Sequence, residues 1–424
     1  MREMKDSGVA WIGEIPEEWE ILNLKTVAYI QTGSTPAKSE QNIYYSNEDG
    51  IPWIKAENLG SFSSISKTKE YLTKEGELEG RIFPENTVFI CCIASVGKVG
   101  YSQIKCSCNQ QINGLVFNLN MFWKYGFYLS VSQEELYSVY ASGNVMKIIN
   151  SERQSRLLCT VPPLNEQQTI ATYLDQKCTQ IDALIANQQK QIEKLKAYKQ
   201  SLITETVTKG LNPDVPMKGS GVEWIGEIPE GWDILQLSSV VTERKHKNIG
   251  MIETNLLSLS YGNVIRKNIN TTDGLLPESF EGYNIIEAGD IVLRLTDLQN
   301  DHKSLRSGLC TERGIITSAY VTLANRGGTL ISEYLHYLLH TFDIYKGFYG
   351  MGAGVRQGLN FDGIKKILLT RPKIEEQQAI VSYLDQKCTQ IDSLIAIKQR
   401  KIEKLQQYKK SVIYEYVTGK KEVK

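Results

Sequence analysis

Two stretches of the chain place apolar residues three and four apart with no glycine or proline between them, a helical period. They predict helices over Glu166–Thr208 and Glu376–Thr418. At 1.5 Å per residue each would span roughly 65 Å, far beyond an ordinary globular helix. Steps of seven give Leu174, Ile181, Gln188, Leu195 and Leu202 in the first, and Leu384, Ile391, Lys398, Leu405 and Val412 in the second. A companion stripe runs through Ile185, Ile192 and Tyr198, matched by Ile395, Ile402 and Tyr408. This is a coiled-coil seam with a polar residue at its midpoint in both copies. Pro162-Pro163 and Pro372 precede the helices, and Asn165 with Gln168 predicts a capping box at the first start. Gly210 and Gly419 stand where a glycine would end each helix.

The matched helices belong to a larger duplication. Trp11-Ile12-Gly13-Glu14-Ile15-Pro16-Glu17 returns as Trp224 to Glu230, and Tyr173 to Asp182 returns unchanged as Tyr383 to Asp392. Between these frames, 28–140 and 241–350 share almost nothing, so one scaffold carries two different surfaces. The second variable region is tied to the end of the first helix by Gly210–Pro216 and to the start of the second by Arg371-Pro372-Lys373. Those tethers make the helices antiparallel, and the leading WIGEIPE segment should meet the end of the second helix. Gln188 and Lys398 would then face each other and set the register.

Composition narrows the class. The 424 residues allow two to four domains, and 41% hydrophobic with 23% charged is ordinary for a globular protein. No stretch has the length and apolarity of a signal peptide or membrane span, so a cytoplasmic location is expected. Net charge is zero, with 48 Lys+Arg against 48 Asp+Glu. A protein that grips DNA alone usually carries a basic excess. A partner should therefore supply much of any backbone grip, or small basic patches lie hidden in the neutral average.

No catalytic constellation emerges. Gly97-Lys98-Val99 is only the tail of a phosphate-binding loop, and Gly350–Gly354 fails the dinucleotide fingerprint. The chain has neither an amino-methyltransferase motif nor a nuclease motif. Cys91-Cys92 and Cys106-Ser107-Cys108 fit no usual zinc spacing, and His336 with His340 lacks a third ligand, so no metal is expected.

SGVAWIGEIPEEW and SGVEWIGEIPEGW before the variable regions, with PPLNEQQTIATYLDQKCTQID and PKIEEQQAIVSYLDQKCTQID after them, resemble the specificity subunit of type I restriction–modification systems. IPWIKAENLG, FPENTVFICCIASVGKVG and GAGVRQGLNFDGIKKI inside those regions resemble the family's target recognition domains. The resemblance implies an α+β protein. Two mixed α/β recognition domains would be joined by two long antiparallel coiled-coil helices in a pseudo-twofold repeat. The implied division is 1–162 and 211–372 for the recognition domains, 163–210 and 373–424 for the spacer helices. It implies a non-catalytic subunit that reads a split site in double-stranded DNA. Two methyltransferase subunits would dock on it, with two restriction/motor subunits in the full complex. S-adenosylmethionine, ATP and magnesium would then sit on those partners.

Side chains that read DNA are chiefly Arg and Lys for guanine, and Asn and Gln for adenine. The first region offers Lys98 and the amide run Asn109, Gln110, Gln111 and Asn113. The second offers Tyr261, Asn263, Arg266, Arg294, Arg306, Arg313, Arg356 and Gln357. Amides dominate one inventory and arginines the other, so the two half-sites should differ. The competing readings are a methylation-only relative of the same system and a coiled-coil adaptor for proteins.

Overall fold

Both long helices form, each beginning two residues earlier than its periodicity predicts: Leu164–Lys209 and Ile374–Val417. The proposed capping box is not what starts the first. The Pro163 carbonyl accepts the amides of Glu166 and Gln167, while the Asn165 side chain already lies inside the helix and accepts only from Glu166. Proline at the threshold leaves its carbonyl as the natural first acceptor. Gly210 and Gly419 do end the helices, with φ of +77° and +71° that suit glycine best.

The computed structural model describes residues 2–37, 39, 41–143, 147–269, 277, 279–298, 301, 304–351 and 358–423. The chain forms two compact units, Met1–Gln189 with Gln399–Lys424, and Lys190–Lys398. This differs from a four-part division into domains and spacers, because each unit's core includes turns of both long helices. Unit 1 buries Ile170, Leu174 and Cys178 together with Ile413 and Val417; unit 2 buries Ile203 and Val207 together with Ile380, Leu384 and Cys388.

Each unit is built on an antiparallel four-stranded sheet of one spatial order. In unit 1 that order is Val99–Ser102, Thr87–Cys91, Ile112–Phe117, Ala28–Thr32; in unit 2 it is Ser307–Leu309, Ile291–Leu293, Val321–Asn325, Val241–Glu243. A short two-stranded ladder closes each unit beside its helices, Glu20–Asn23 with Leu158–Val161 and Asp233–Gln236 with Leu368–Arg371. The second layers differ. Unit 1 adds a five-stranded mixed sheet over residues 45–108, whereas unit 2 adds the hairpin Leu257–Ser260/Asn263–Arg266 and the pair Asn284–Ile286/Gly314–Ile316.

The duplicated frame residues bolt each sheet to the helix ends in the same way. Trp19 donates its indole N–H to Glu166 at 3.0 Å, and Trp232 donates to Glu376 at 2.9 Å. The Val417 carbonyl accepts from Tyr125 and Thr160, and the Val207 carbonyl from Tyr334 and Thr370. These bonds satisfy last-turn carbonyls that a helix cannot satisfy by itself. Gln167 bridges the Pro162 and Asn120 carbonyls to the Phe122 amide; Gln377 does the same for Pro372, Thr329 and Ile331. The leading segment meets the end of the second helix as expected, through Tyr414 Oη donating to the Trp11 carbonyl.

Within each unit the helix segments run antiparallel. Asp182 pairs with Lys409 in unit 1, and Asp392 with Lys199 in unit 2. Leu174, Ile181, Gln188, Leu384 and Ile391 are buried, with Leu195, Leu405 and Lys398 partly so. Two expectations about the seam need correction. Tyr198 and Tyr408 are 56% and 57% exposed, and the lysine after each takes the inner position, because a long stem can bury while its ammonium reaches a carboxylate. Lys398 donates to Gln191 instead of Gln188, its flexible stem carrying the charge one turn along the seam.

Candidate nucleic-acid interface

Loops that leave and re-enter the four-stranded sheet gather at one edge of each unit. In unit 1 strand Thr87–Cys91 exits into Cys92–Lys98, a seven-residue connection organised by its own backbone. The Gly97 amide bonds the Cys91 carbonyl at 3.0 Å, and the Cys91 amide bonds the Lys98 carbonyl at 2.9 Å. Ala94 and Gly97 take φ of +62° and +96°; a Cβ on Gly97 would lie 2.4 Å from the Glu134 carbonyl oxygen, so glycine is required there. Lys98 ends the turn with an exposed side chain.

The amide run folds as a tight turn against this loop. The Asn109 carboxamide oxygen accepts the Gln111 amide at 3.1 Å, and the Gln111 carbonyl accepts the Cys92 amide at 2.8 Å. Gln110 is exposed at the tip beside Thr35, while Asn109 and Gln111 are half-buried and bonded to each other. Asn113 is a different case. It is fully buried, taking the Thr32 hydroxyl at 2.8 Å and donating to Gln154 at 2.6 Å, so it cross-links the sheet and presents nothing outward. The strand period accounts for this, since Asn113 lies inside strand Ile112–Phe117.

Two exposed cations that the sequence reading missed border the same edge. Arg81 donates to the Thr32 carbonyl, and the Lys147 carbonyl accepts the Ala94 amide at 3.1 Å. Neither belongs to a local motif; only the tertiary ladder brings them to Lys98 and Gln110.

In unit 2 the equivalent connection is longer, Arg294–Arg306, and Arg294 is half-exposed with its guanidinium 3.8 Å from Asp301. The Leu295 carbonyl accepts the Leu359 amide at 2.9 Å, the counterpart of the Ala94–Lys147 bond. Arg306 does not face outward as expected. It is fully buried, and its five N–H bonds go to the carbonyls of Arg294, Thr296, Asp297 and Asp301 and to the Tyr349 hydroxyl. Arg356 and Gln357 lie outside the described residues.

Of the remaining unit 2 candidates, the tip at 261–263 lies against Leu305 of this same connection, where a Cβ on Gly262 would be 3.1 Å from the Leu305 Cβ. Tyr261 and Gly262, both at positive φ, form the tip of the two-stranded hairpin, leaving Tyr261 82% exposed and Asn263 beside it. Arg266 is held by Glu312, and Arg313 by Glu253 and Glu287 at 3.1 and 2.8 Å. Both guanidiniums are exposed yet already paired, so neither is a free cation.

A second matched surface lines each unit's helix pair. In unit 1 Tyr128 donates to Asp175, and Phe62 lies over the Lys409 ammonium, 3.2 Å from ring centroid to Nζ. In unit 2 Tyr337 donates to Asp385, but the neighbouring face is polar, with His336, His340 and Tyr261 around Lys199. Burial pushes both histidines down to about 4. The eight cysteines are buried free thiols; burial raises Cys92 and Cys106 to about 12, which keeps them protonated and poor metal ligands. Among the described residues no group of three or more His, Cys, Asp or Glu is placed to hold a metal, and no helix is long and apolar enough to cross a membrane.

Comparison with known proteins places this architecture. Residues 16–194 match the type I restriction modification DNA specificity domain. The type I restriction enzyme MjaVIII specificity subunit of Methanocaldococcus jannaschii is 26% identical over 97% of this chain and 94% of the relative. The EcoKI specificity subunit of Escherichia coli is 28% identical over 45% of this chain and 43% of its own length. A chain from a structure describing complex assembly and conformational transition of the type I R-M system shares the fold. Its TM-score is 0.68 at 14% identity, covering 95% of this chain and 98% of that one.

Proposed function

The chain belongs to the DNA specificity subunits of type I restriction–modification systems, and on that premise we propose how it reads DNA. Each unit recognises one half of an asymmetric split site in double-stranded DNA, through the loop edge of its four-stranded sheet. The observation that carries this is the pairing of one frame with two unlike edges. Unit 1 presents Lys98, Gln110, Arg81 and Lys147; unit 2 presents Arg294 on a connection nearly twice as long. The two edges carry different exposed side chains on connections of different length, so the halves should differ in sequence.

The long helices set the gap and dock two methyltransferase subunits, with two restriction/motor subunits completing the cytoplasmic complex. Matched exposed apolar residues on the helices, Leu184 with Leu394 and Tyr198 with Tyr408, support docking at equivalent places. The chain contributes recognition and no catalysis; S-adenosylmethionine, ATP and magnesium bind the partner subunits. Zero net charge accords with partners supplying part of the phosphate grip.

A whole-genome methylation map with and without the gene tests the reading. Loss of one split, non-palindromic adenine motif on deletion is expected, and a palindromic motif would contradict it. Inserting four residues in both helices should add about 6 Å, close to two base-pair steps, lengthening the gap while both half-sites stay the same.

A further inference from the structure

We infer that Arg306 is a positioning residue for half-site specificity: it shapes the unit 2 reading connection from within without touching DNA. The inference rests on the reading that unit 2 recognises one half-site. The same strand-to-strand connection is solved in two ways in this molecule. Unit 1 closes its seven residues with backbone bonds and a glycine. Unit 2 turns the carbonyls of Arg294, Thr296, Asp297 and Asp301 onto one buried guanidinium, with the Arg306 carbonyl also taking the Arg294 amide at 2.8 Å to close the loop base.

The geometry ties that connection to three other parts of the unit. Nη1 holds the carbonyls of Arg294 and Thr296 at 3.1 and 2.8 Å, and Nη2 holds that of Asp297 at 3.2 Å together with that of Asp301. Asp297 adopts φ of +56°, an uncommon conformation for a residue with a side chain, and its carbonyl is one of those held. Nε reaches the Tyr349 hydroxyl at 3.0 Å, and the guanidinium lies 5.0 Å from that ring's centroid. The Arg306 amide donates to Asp343 on helix Ser332–Ile344 at 2.6 Å. The Leu295–Leu359 bond then aligns the connection with the segment that leads into the Asn360-capped turn.

Unit 1 shows that the sheet closes without such a cation, so the fold alone does not require one. What the guanidinium adds is a single arrangement of Arg294 and its neighbours at the edge that faces the half-site. Lysine cannot reproduce it, because one ammonium has three donors and no planar fork.

The test is a methylation map of the host carrying Arg306→Lys or Tyr349→Phe in the chromosomal gene. The expected result is relaxed sequence preference confined to one half-site, with the other half-site and the gap unchanged. Methylation at sites with one wrong base in that half should rise at least about fivefold, the loss of one good base contact. An unchanged motif overturns the inference, whether methylation is full or uniformly depleted, since a merely stabilising residue would lower occupancy at every site alike. Should Arg306→Lys abolish methylation altogether, the milder Tyr349→Phe decides by the same two outcomes. If deleting the gene removes no split motif, the reading of unit 2 as a half-site reader fails, and that result is distinct from a motif Arg306 does not alter.

Discussion

Unit 1 and unit 2 share a sheet order, a closing ladder and the Trp–Glu, Tyr–Thr–carbonyl and glutamine bolts to the helix ends, yet organise their working edges on different physical principles. Unit 1 builds short loops from backbone hydrogen bonds and positive-φ positions, then displays Gln110 and Lys98 on them. Unit 2 turns carbonyls of a longer connection onto a buried arginine and pairs Arg266 and Arg313 with glutamates. The difference teaches that the conserved part is the attachment of sheet to helix, and that the edge is free to change because no bolt passes through it. A Trp–Glu bond and a Tyr–Thr–carbonyl cluster recur in both units, and each satisfies a polar group that would otherwise be orphaned on burial.

The largest expected effect that sharpens this comparison concerns the helix-ending glycines. A Cβ on Gly419 would lie 2.3 Å from Pro16, whereas on Gly210 the nearest atoms are 3.2 Å away. Both positions share the left-handed backbone, but only unit 1 adds a collision with the leading segment. Gly419→Ala should cost about 2–4 kcal/mol and Gly210→Ala about 1 kcal/mol. Hydrogen-exchange opening energies resolved by unit would measure both, and equal costs would break the asymmetry.

Next come the two register pairs. Lys409 is 10% exposed under Phe62, Lys199 is 28% exposed, and both partner aspartates are about half-exposed. Asp182→Asn leaves the more buried cation unpaired and should cost about 1–2 kcal/mol; Asp392→Asn should cost under about 1 kcal/mol. The reverse order, read from denaturant midpoints, would show that Phe62 does not seal the first pair.

The smallest effect is a pH dependence confined to unit 2, which contains all four histidines of the chain. Burial pushes His336 and His340 down to about 4, so the unfolded chain takes up protons near 6.5 while the folded unit resists until about 4. Their stability contribution is complete above pH 6.5 and lost as pH falls toward 4. Asp343, raised to about 6 by burial, acts oppositely: its contribution is present at low pH and lost as pH rises through 6. Two imidazoles outweigh one carboxyl. Unit 2 should lose on the order of 1–2 kcal/mol between pH 7 and pH 5. Exchange rates corrected for intrinsic pH dependence would test this; equal loss in unit 1 would refute the assignment to histidines.

The frame was legible in the sequence because duplication and periodicity are local properties. Helix extents followed from uninterrupted 3.6-residue spacing, and Gly210 and Gly419 from the need for positive φ at a helix end. The antiparallel course followed from two short tethers. The identical YLDQKCTQID segments also held Asp182 and Asp392, although nothing local showed that Lys409 and Lys199 would meet them.

The working edge was legible only in part. Lys98 and Gln110 stand exposed where loop chemistry suggested, but Asn113 and Arg306, also an amide and a cation, point inward. A side chain's direction depends on which strand face is covered, and that depends on residues far along the chain. Asn113 turns in because Thr32 and Gln154 wait there; Arg306 turns in because Tyr349 and carbonyls of its own connection form a cage. Arg81 is held at the edge by its guanidinium's bond to the Thr32 carbonyl, and Lys147 by its carbonyl's bond from the Ala94 amide. By itself the sequence determined the repeated scaffold, since helix formation and helix ending are set by near neighbours. Only the tertiary structure decided which polar groups became surface and which became structure, because burial is a property of the assembled layers and not of any segment.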